Sequence, residues 1–152
     1  MLPLLLEELS QAKESFTIED ARAVHNNVEL NNNITLRNYQ VPVFDSVIKN
    51  LSTNYPVCFQ QGVIVAPAGS GKTVFGLKLI AELKQPCIWL SPTNPLIKQT
   101  YKEAIDKGFN PDLVGIIQQD KLEIKPLTIA SVDTLIRRDF EYISKCFGTL
   151  IL

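Results

Sequence analysis

One eight-residue segment, Ala66-Pro67-Ala68-Gly69-Ser70-Gly71-Lys72-Thr73, constrains the fold more than any other feature of this chain. It matches the phosphate-binding loop (P-loop) pattern: a small residue, four variable positions and then Gly-Lys-Thr. Glycine adopts backbone conformations that other residues avoid, so successive amides of such a loop can turn toward one anion. A helix that begins near Lys72 would direct its positive end at the same anion. The pattern therefore predicts a phosphate site between a strand and a helix.

The residues of this loop that we expect to contact a nucleotide are Ala68, Gly69, Ser70, Gly71, Lys72 and Thr73. Lys72 would reach the β and γ phosphates, and the Thr73 hydroxyl would bind Mg²⁺. Both are therefore candidate catalytic residues. The alternative is that Gly-Ser-Gly only forms a flexible turn. The flanking sequence favours nucleotide binding, because residues 62–66 predict a buried strand and residues 73–83 predict an amphipathic helix.

Helix and strand patterns continue to alternate along the rest of the chain. Helices are predicted at residues 39–51, 94–106 and 133–138, with Asn94 as the cap and Pro95 as the first residue of the second. Further strands are predicted at residues 87–90, 114–117, 127–130 and 149–152. Continuous apolar strands that alternate with helices are typical of a parallel sheet covered on both faces. The sequence thus predicts an α/β fold of the P-loop NTPase type.

A polar cluster at residues 26–33, rich in asparagine, indicates a boundary loop. It divides the chain into a helical N-terminal arm, residues 1–33, and a nucleotide-binding domain, residues 34–152. Two short helices are expected in the arm, at residues 4–13 and from Thr17 onward, where Thr17 and Asp20 resemble a capping box. A helix-turn-helix is an alternative for the arm, although its sequence is not notably basic.

Composition narrows the class of protein further. The chain has 152 residues, 45% hydrophobic and 20% charged, as expected for one globular domain, and a formal net charge of −1 excludes a generally basic surface. The longest apolar runs, residues 1–6 and 63–68, are far shorter than the roughly 20 residues of a membrane span. Three widely spaced cysteines argue against a disulfide framework or a zinc site. We therefore expect an intracellular protein without a membrane partner.

Segments on both sides of the P-loop resemble one family. They are Leu36-Arg37-Asn38-Tyr39-Gln40, Pro92-Thr93-Asn94-Pro95-Leu96-Ile97-Lys98-Gln99 and Thr128-Ile129-Ala130-Ser131-Val132-Asp133-Thr134-Leu135. With the P-loop, they are similar to four motifs of superfamily 2 helicases and translocases, in the branch of the XPB-like, type III restriction-like and UvsW-like ATPases. The resemblance covers about three-quarters of the chain and implies the first RecA-like domain of an ATP-dependent helicase or translocase.

The resemblance also implies roles for individual residues. Gln40 would recognise adenine, which makes ATP the expected nucleotide, and a side-chain amide can indeed pair with adenine N6 and N7. Arg37 and Tyr39 would flank the base. Thr93, Asn94, Ser131 and Thr134 would line the path of DNA or RNA, with single-stranded or duplex DNA expected. The alternative is plain helix capping, by Asn94 for one helix and by Ser131 or Asp133 for the next. Trp89 is expected in the core, and His25 is given no role.

The C-terminal segment Gly148-Thr149-Leu150-Ile151-Leu152 resembles the strand that, in this family, leads into an Asp-Glu pair that holds Mg²⁺. The printed chain stops there, so we expect an incomplete first motor domain that does not hydrolyse ATP alone. Two alternatives stay open. One is a non-catalytic nucleotide-binding or nucleic-acid-binding remnant, and the other is a small P-loop kinase, for which the sequence offers neither a phosphoacceptor site nor an arginine-rich lid.

Overall fold

A five-stranded sheet organises the computed structural model, which describes residues 25–51 and 62–152 together with residues 8, 11 and 12, and only the backbone at residues 50, 51 and 140. The strands are β1 Cys87–Ser91, β2 Val114–Gln118, β3 Lys121–Leu122, β4 Leu127–Ser131 and β5 Thr149–Ile151. Their order is β3-β2-β4-β1-β5. All neighbouring strands are parallel except β3, which pairs antiparallel with β2.

Five helices within residues 25–51 and 62–152 pack with this sheet: α1 Val41–Leu51, α2 Lys72–Leu83, α3 Asn94–Asp106, α4 Val132–Ile136 and α5 Phe140–Ser144. A 3₁₀ turn, Pro111–Leu113, precedes β2. Within residues 25–51 and 62–152, no helix combines the length and the apolar character needed to cross a bilayer.

The two faces of the sheet carry two separate cores, because side chains alternate along each strand. On β1, Cys87 and Trp89 belong to the larger core, whereas Ile88 and Leu90 belong to the smaller one. Side chains of α2 and α3 pack in the larger core, and those of α4 and α5 pack in the smaller one. The predicted α/β fold, with helices on both faces of a mainly parallel sheet, is confirmed.

Most predicted elements agree with the structure to within one or two residues, including Pro42 in the first turn of α1, where proline is tolerated. The structure adds three elements without a predicted counterpart, which are the 3₁₀ turn, β3 and α5. The first two are only two or three residues long, too short to show a periodic pattern. The five residues of α5 complete barely more than one helical turn.

The predicted buried strand at residues 62–66 is wrong. These residues have no strand pairing, and the side chains of Val63 and Val65 are 90% and 93% exposed. β-branched residues favour strands mainly through packing against neighbouring strands. The described sheet ends at β3 and β5, and residues 62–66 pair with neither.

An extended segment, residues 25–36, crosses the larger core. Leu30 and Ile34 are buried in that core, and the Val28 amide donates a hydrogen bond to the Lys84 carbonyl at 2.9 Å. Of the predicted helix at residues 4–13, the structure describes Glu8 and Gln11 as helical, and the Ala12 amide donates a hydrogen bond of helical spacing to the Glu8 carbonyl. The second predicted helix lies outside the described residues, and the division of the chain at residue 33 stays a prediction.

Candidate nucleotide and nucleic-acid sites

The P-loop has the backbone that its glycines predict. Gly69 and Gly71 have φ angles of 75° and 79°, in the left-handed region that favours glycine. Gly71 is also the N-cap of α2, and no side chain caps this end of the helix. The first amides of α2 are therefore not used by a capping side chain, which leaves them suited to an anion.

Lys72 is the first residue of α2, and its side chain folds back over the loop. Its ammonium donates hydrogen bonds to the carbonyl oxygens of Ala66 and Pro67, both at 3.0 Å, and the side chain is exposed. The positive charge thus lies above the loop that carries the glycines. A phosphate bound by the loop amides would be within the electrostatic reach of this ammonium.

Gln40 connects the segment before α1 to the P-loop. Its side chain is only 6% exposed, and its Oε1 accepts a hydrogen bond from the Arg37 amide at 2.9 Å. Its Nε2 donates to the Ser70 carbonyl at 2.9 Å and to the Gly71 carbonyl at 3.4 Å. The amide that we expect to recognise adenine is therefore bonded to the loop, and adenine recognition stays a prediction.

Arg37 and Tyr39 contact the same part of the loop. The Arg37 guanidinium donates to the Tyr39 hydroxyl at 3.0 Å, and this hydroxyl donates to the Ser70 carbonyl at 3.1 Å. The Ser70 carbonyl oxygen therefore accepts hydrogen bonds from two consecutive side chains, those of Tyr39 and Gln40. Sequence reasoning placed Arg37 and Tyr39 beside the base and missed this link, since spacing along the chain does not show which backbone atom a side chain meets.

The loop fits a nucleotide phosphate with its metal. Ser70 Oγ is enclosed and has no hydrogen-bond partner among the described residues, so it is a polar atom that a ligand could satisfy. Thr73 lies in the first turn of α2 and is partly exposed. Within residues 25–51 and 62–152, no group of three His, Cys, Asp or Glu side chains could hold a metal ion. Mg²⁺ binding by Thr73 stays a prediction.

The predicted nucleic-acid residues follow β1 and β4, whose last residues, Ser91 and Ser131, are paired in register. The carboxyl ends of these parallel strands therefore meet at one edge of the sheet. Only three residues separate the end of α2 at Leu83 from the start of β1, and Gly76 packs against the indole ring of Trp89 at the middle of β1, so the N-terminal end of α2 points toward the same edge. The P-loop and the two polar loops consequently share one edge.

The loop after β1 differs in one detail from its prediction. Thr93, not Asn94, is the N-cap of α3, so Asn94 and Pro95 are the first two helical residues. The Thr93 backbone is extended, and its side chain makes no capping hydrogen bond to the helix. Both Thr93 and Asn94 are exposed. Of the predicted nucleic-acid residues, these two are the most accessible.

The hydroxyls of Ser131 and Thr134 serve local structure, and Ser131 is a helix cap, as the capping alternative predicted. Ser131 is buried and accepts a hydrogen bond from the Thr134 amide at 3.4 Å, capping α4. Thr134 Oγ1 accepts from the Gln119 amide at 3.1 Å, and Arg138 donates to the Gln119 carbonyl at 2.6 Å. Gln119 has a φ of 51° and was not singled out from the sequence. A nucleic-acid contact by Ser131 or Thr134 stays a prediction.

Two groups away from these loops have shifted pKa values. A hydrogen bond and the charge of Glu29 raise the pKa of Lys84, whose ammonium lies 3.0 Å from the Glu29 carboxylate. Burial raises the pKa of the Cys87 thiol, which is therefore protonated in the core. Neither group belongs to the candidate sites.

A P-loop at the edge of a mainly parallel α/β sheet, with Gln40 joined to that loop, defines an N-terminal RecA-like domain of superfamily 2 helicases. More specifically, residues 33–151 match the family described as "Type III restriction enzyme, res subunit", and the chain belongs to this family.

Individual relatives agree with this assignment. The chain is 33% identical over 107 residues to a DNA 3'-5' translocase XPB2 of Sulfurisphaera tokodaii, covering 69% of this chain and 21% of the relative. It is 26% identical over 93 residues to the XPB helicase/translocase subunit of the general transcription and DNA repair factor IIH of Antonospora locustae, covering 60% and 13%. The chain therefore spans about a fifth or less of each curated relative.

The fold has a solved counterpart in the UvsW helicase of bacteriophage T4. The two structures superpose with a TM-score of 0.61 at 14% identity, over 97% of this chain and 58% of the other. At this level of identity the likeness supports the RecA-like fold and carries no assignment of activity.

Proposed function

We propose that this chain is the ATP-binding part of a nucleic-acid-dependent ATPase, a helicase or translocase that acts on DNA. The observation that carries the proposal is the P-loop itself: two left-handed glycines, an uncapped helix N-terminus and the Lys72 ammonium all lie on one short loop. Such a loop concentrates donors and positive charge where a polyphosphate would bind.

Each residue of the site then has a distinct role. The loop amides of residues 68–73 hold the phosphates, Lys72 neutralises the β and γ phosphates, and Thr73 binds the accompanying Mg²⁺. Gln40 selects adenine. Mg²⁺, when bound, offsets the charge that develops on the transferred phosphoryl group.

DNA is the proposed partner because the curated relatives are named as a DNA translocase and as a subunit of a DNA repair factor. Thr93 and the amides at the start of α3 would bind a phosphate of the DNA backbone without a basic patch. Such contacts position a nucleic acid but do not read its sequence. The same relatives support an intracellular location.

A second candidate is a nucleotide-binding domain that does not hydrolyse ATP. The positions of the last two acidic residues of the chain, Asp139 and Glu141, favour it. Asp139 accepts a hydrogen bond from the Tyr142 amide at 3.0 Å, and Glu141 pairs with Lys145 at 2.7 Å. Both carboxylates are therefore engaged in local contacts on α5. We expect no ATP turnover by the 152-residue chain, and turnover that Lys72→Ala abolishes would contradict this.

The test of nucleotide binding is calorimetric titration of Mg-ATP into the wild-type chain and into Lys72→Ala. We expect Lys72→Ala to weaken binding at least tenfold, since a charge-assisted contact to phosphate contributes about 1.5–3 kcal/mol. Lys102→Ala, an exposed lysine on α3, is the matched control and should bind like the wild type. Equal affinities for Lys72→Ala and the wild type would contradict the proposal.

The test of base selection compares ATP with GTP. Gln40→Ala should reduce the difference between the two affinities by about 1–3 kcal/mol, the range for one bidentate base contact. A wild-type chain that binds ATP and GTP equally would remove this role from Gln40.

A further inference from the structure

The segment before α1 is tied to the P-loop at a single atom, the Ser70 carbonyl oxygen. The Tyr39 hydroxyl donates to it at 3.1 Å and Gln40 Nε2 donates to it at 2.9 Å. A carbonyl oxygen has two lone pairs, so these two donors occupy its usual hydrogen-bonding capacity.

The Tyr39 hydroxyl has a defined direction in this arrangement. Arg37 can only donate, so the hydroxyl accepts from the guanidinium at 3.0 Å and turns its own proton to Ser70. A charged donor polarises the hydroxyl, and hydrogen bonds in a chain strengthen one another. Arg37 therefore acts on the loop through Tyr39.

Fixing the Ser70 carbonyl also fixes the next amide. In a planar trans peptide, the carbonyl oxygen of one residue and the amide hydrogen of the next point in opposite directions. The Gly71 amide must therefore point away from Tyr39 and Gln40. Both neighbouring glycines, Gly69 and Gly71, have few steric restraints of their own, so an external restraint on this peptide has a large effect on its orientation.

We propose that the Tyr39 hydroxyl is a positioning group for the phosphate loop: through the Ser70 carbonyl it sets the direction of the Gly71 amide toward bound phosphate. This inference rests on the proposed nucleotide binding. It differs from a contact with the base, because the hydroxyl acts on a part of the ligand that has no base. The Tyr39 side chain is 54% exposed, so its hydroxyl can be removed without a cavity in the core.

The experiment uses a ligand without a base. Binding of inorganic tripolyphosphate and of ATP, each with Mg²⁺, is measured by calorimetry for the wild type and for Tyr39→Phe, which keeps the ring. We expect Tyr39→Phe to weaken both ligands by the same factor, about twofold to tenfold, the range for one hydrogen bond. Tyr142→Phe, on an exposed tyrosine of α5, is the matched control and should change neither affinity.

Two results would overturn the inference. One is an unchanged affinity of Tyr39→Phe for tripolyphosphate, whether or not ATP binding falls, since a loss confined to ATP would assign the hydroxyl to the base. The other is an Arg37→Gln substitution that weakens tripolyphosphate binding by the same factor in the wild type and in Tyr39→Phe. Because Arg37 acts through Tyr39, its substitution should weaken tripolyphosphate binding in the wild type and add nothing in Tyr39→Phe.

Failure of the proposed function has a separate signature, which is a wild-type chain that binds neither ATP nor tripolyphosphate. A ligand-free readout checks the loop independently. The ¹⁵N backbone order parameter of the Gly71 amide should be lower in Tyr39→Phe than in the wild type, while order parameters in β4 stay unchanged. Equal order parameters at Gly71 in the two proteins would contradict the proposed restraint.

Discussion

Gly76 lies so close to Trp89 that a Cβ atom at residue 76 would be 2.8 Å from the indole ring. This contact joins α2 to β1, and thus holds the helix that begins at the P-loop against the sheet. Gly76→Ala should therefore lower the free energy of unfolding by about 1–3 kcal/mol, as expected for overpacking, although alanine is the better helix former. Urea denaturation measures the change.

Gly62→Ala is the control for this substitution, because a Cβ at residue 62 would meet no atom of the described residues within 4 Å. It should change the free energy of unfolding by no more than about 1 kcal/mol. Trp89→Leu should reduce the cost of Gly76→Ala by removing the ring. If Gly76→Ala lowers the free energy of unfolding by the same amount in the wild type and in Trp89→Leu, the indole ring is not the cause.

A second glycine contact involves Gly115 of β2, where a Cβ would collide with the carbonyl oxygen of Glu123. Backbone cannot move aside as a flexible side chain can, so β3 would have to separate from β2. Gly115→Ala should cost at least as much as Gly76→Ala, at the upper end of about 1–3 kcal/mol. Denaturation of both variants under the same conditions checks the order, and a smaller cost for Gly115→Ala would contradict it.

The ion pair between Lys84 and Glu29 predicts a pH dependence at alkaline pH. Glu29 raises the pKa of Lys84 above 10.5, so the ammonium binds its proton more tightly in the folded chain than in the unfolded chain. The resulting stabilisation is fully present below pH 10.5 and is lost as the pH rises through the raised pKa. In Glu29→Gln, NMR titration should find a lower pKa for Lys84. An unchanged value would remove the pair as the cause.

Nucleic-acid binding by the loop after β1 predicts an effect of the Thr93 hydroxyl. Thr93→Val keeps the branched shape, which suits the extended backbone, and removes the hydroxyl. It should weaken binding of a single-stranded oligonucleotide about twofold to tenfold without changing thermal stability. Fluorescence anisotropy at several salt concentrations measures this, and affinity should fall as salt rises.

Ser131→Ala provides a contrast, because this buried hydroxyl caps α4. Loss of the cap should reduce stability by about 0.5–2 kcal/mol. If neither Thr93→Val nor Ser131→Ala affects oligonucleotide binding, the predicted nucleic-acid path is wrong.

Most of the fold could be predicted from the sequence, because the spacing of apolar residues indicates which side chains are buried. Cys87 and Ile88 face different cores, yet both are buried, so the continuous apolar run of β1 correctly indicated a strand covered on both faces. The run at residues 62–66 is also continuously apolar but does not pair with the described sheet. The composition of a segment indicates whether it could be buried as a strand. Whether it pairs depends on which sheet edges lie close to it in the folded chain.

The sites were predictable to a different degree. The glycine conformations of the P-loop follow directly from its pattern, because few other residues adopt a positive φ. The contacts of Tyr39 and Gln40 with Ser70 span about thirty residues of chain. Such contacts depend on how α1 packs against α2. The rings of Phe44 and Phe75 contact each other edge to face there, with 5.6 Å between their centroids. No local sequence pattern predicts how these two helices pack.

The two ends of the sheet differ in a way that affects how the isolated chain behaves in solution. At one end, β3 is only two residues long and carries an ion pair between Lys121 and Glu123 at 3.1 Å, features that discourage addition of another strand. At the other end, no described strand pairs with the outer side of β5, where Leu150 is 53% exposed. The β3 end of the sheet is therefore an edge at which a second copy of the chain should not add a strand, even in concentrated samples.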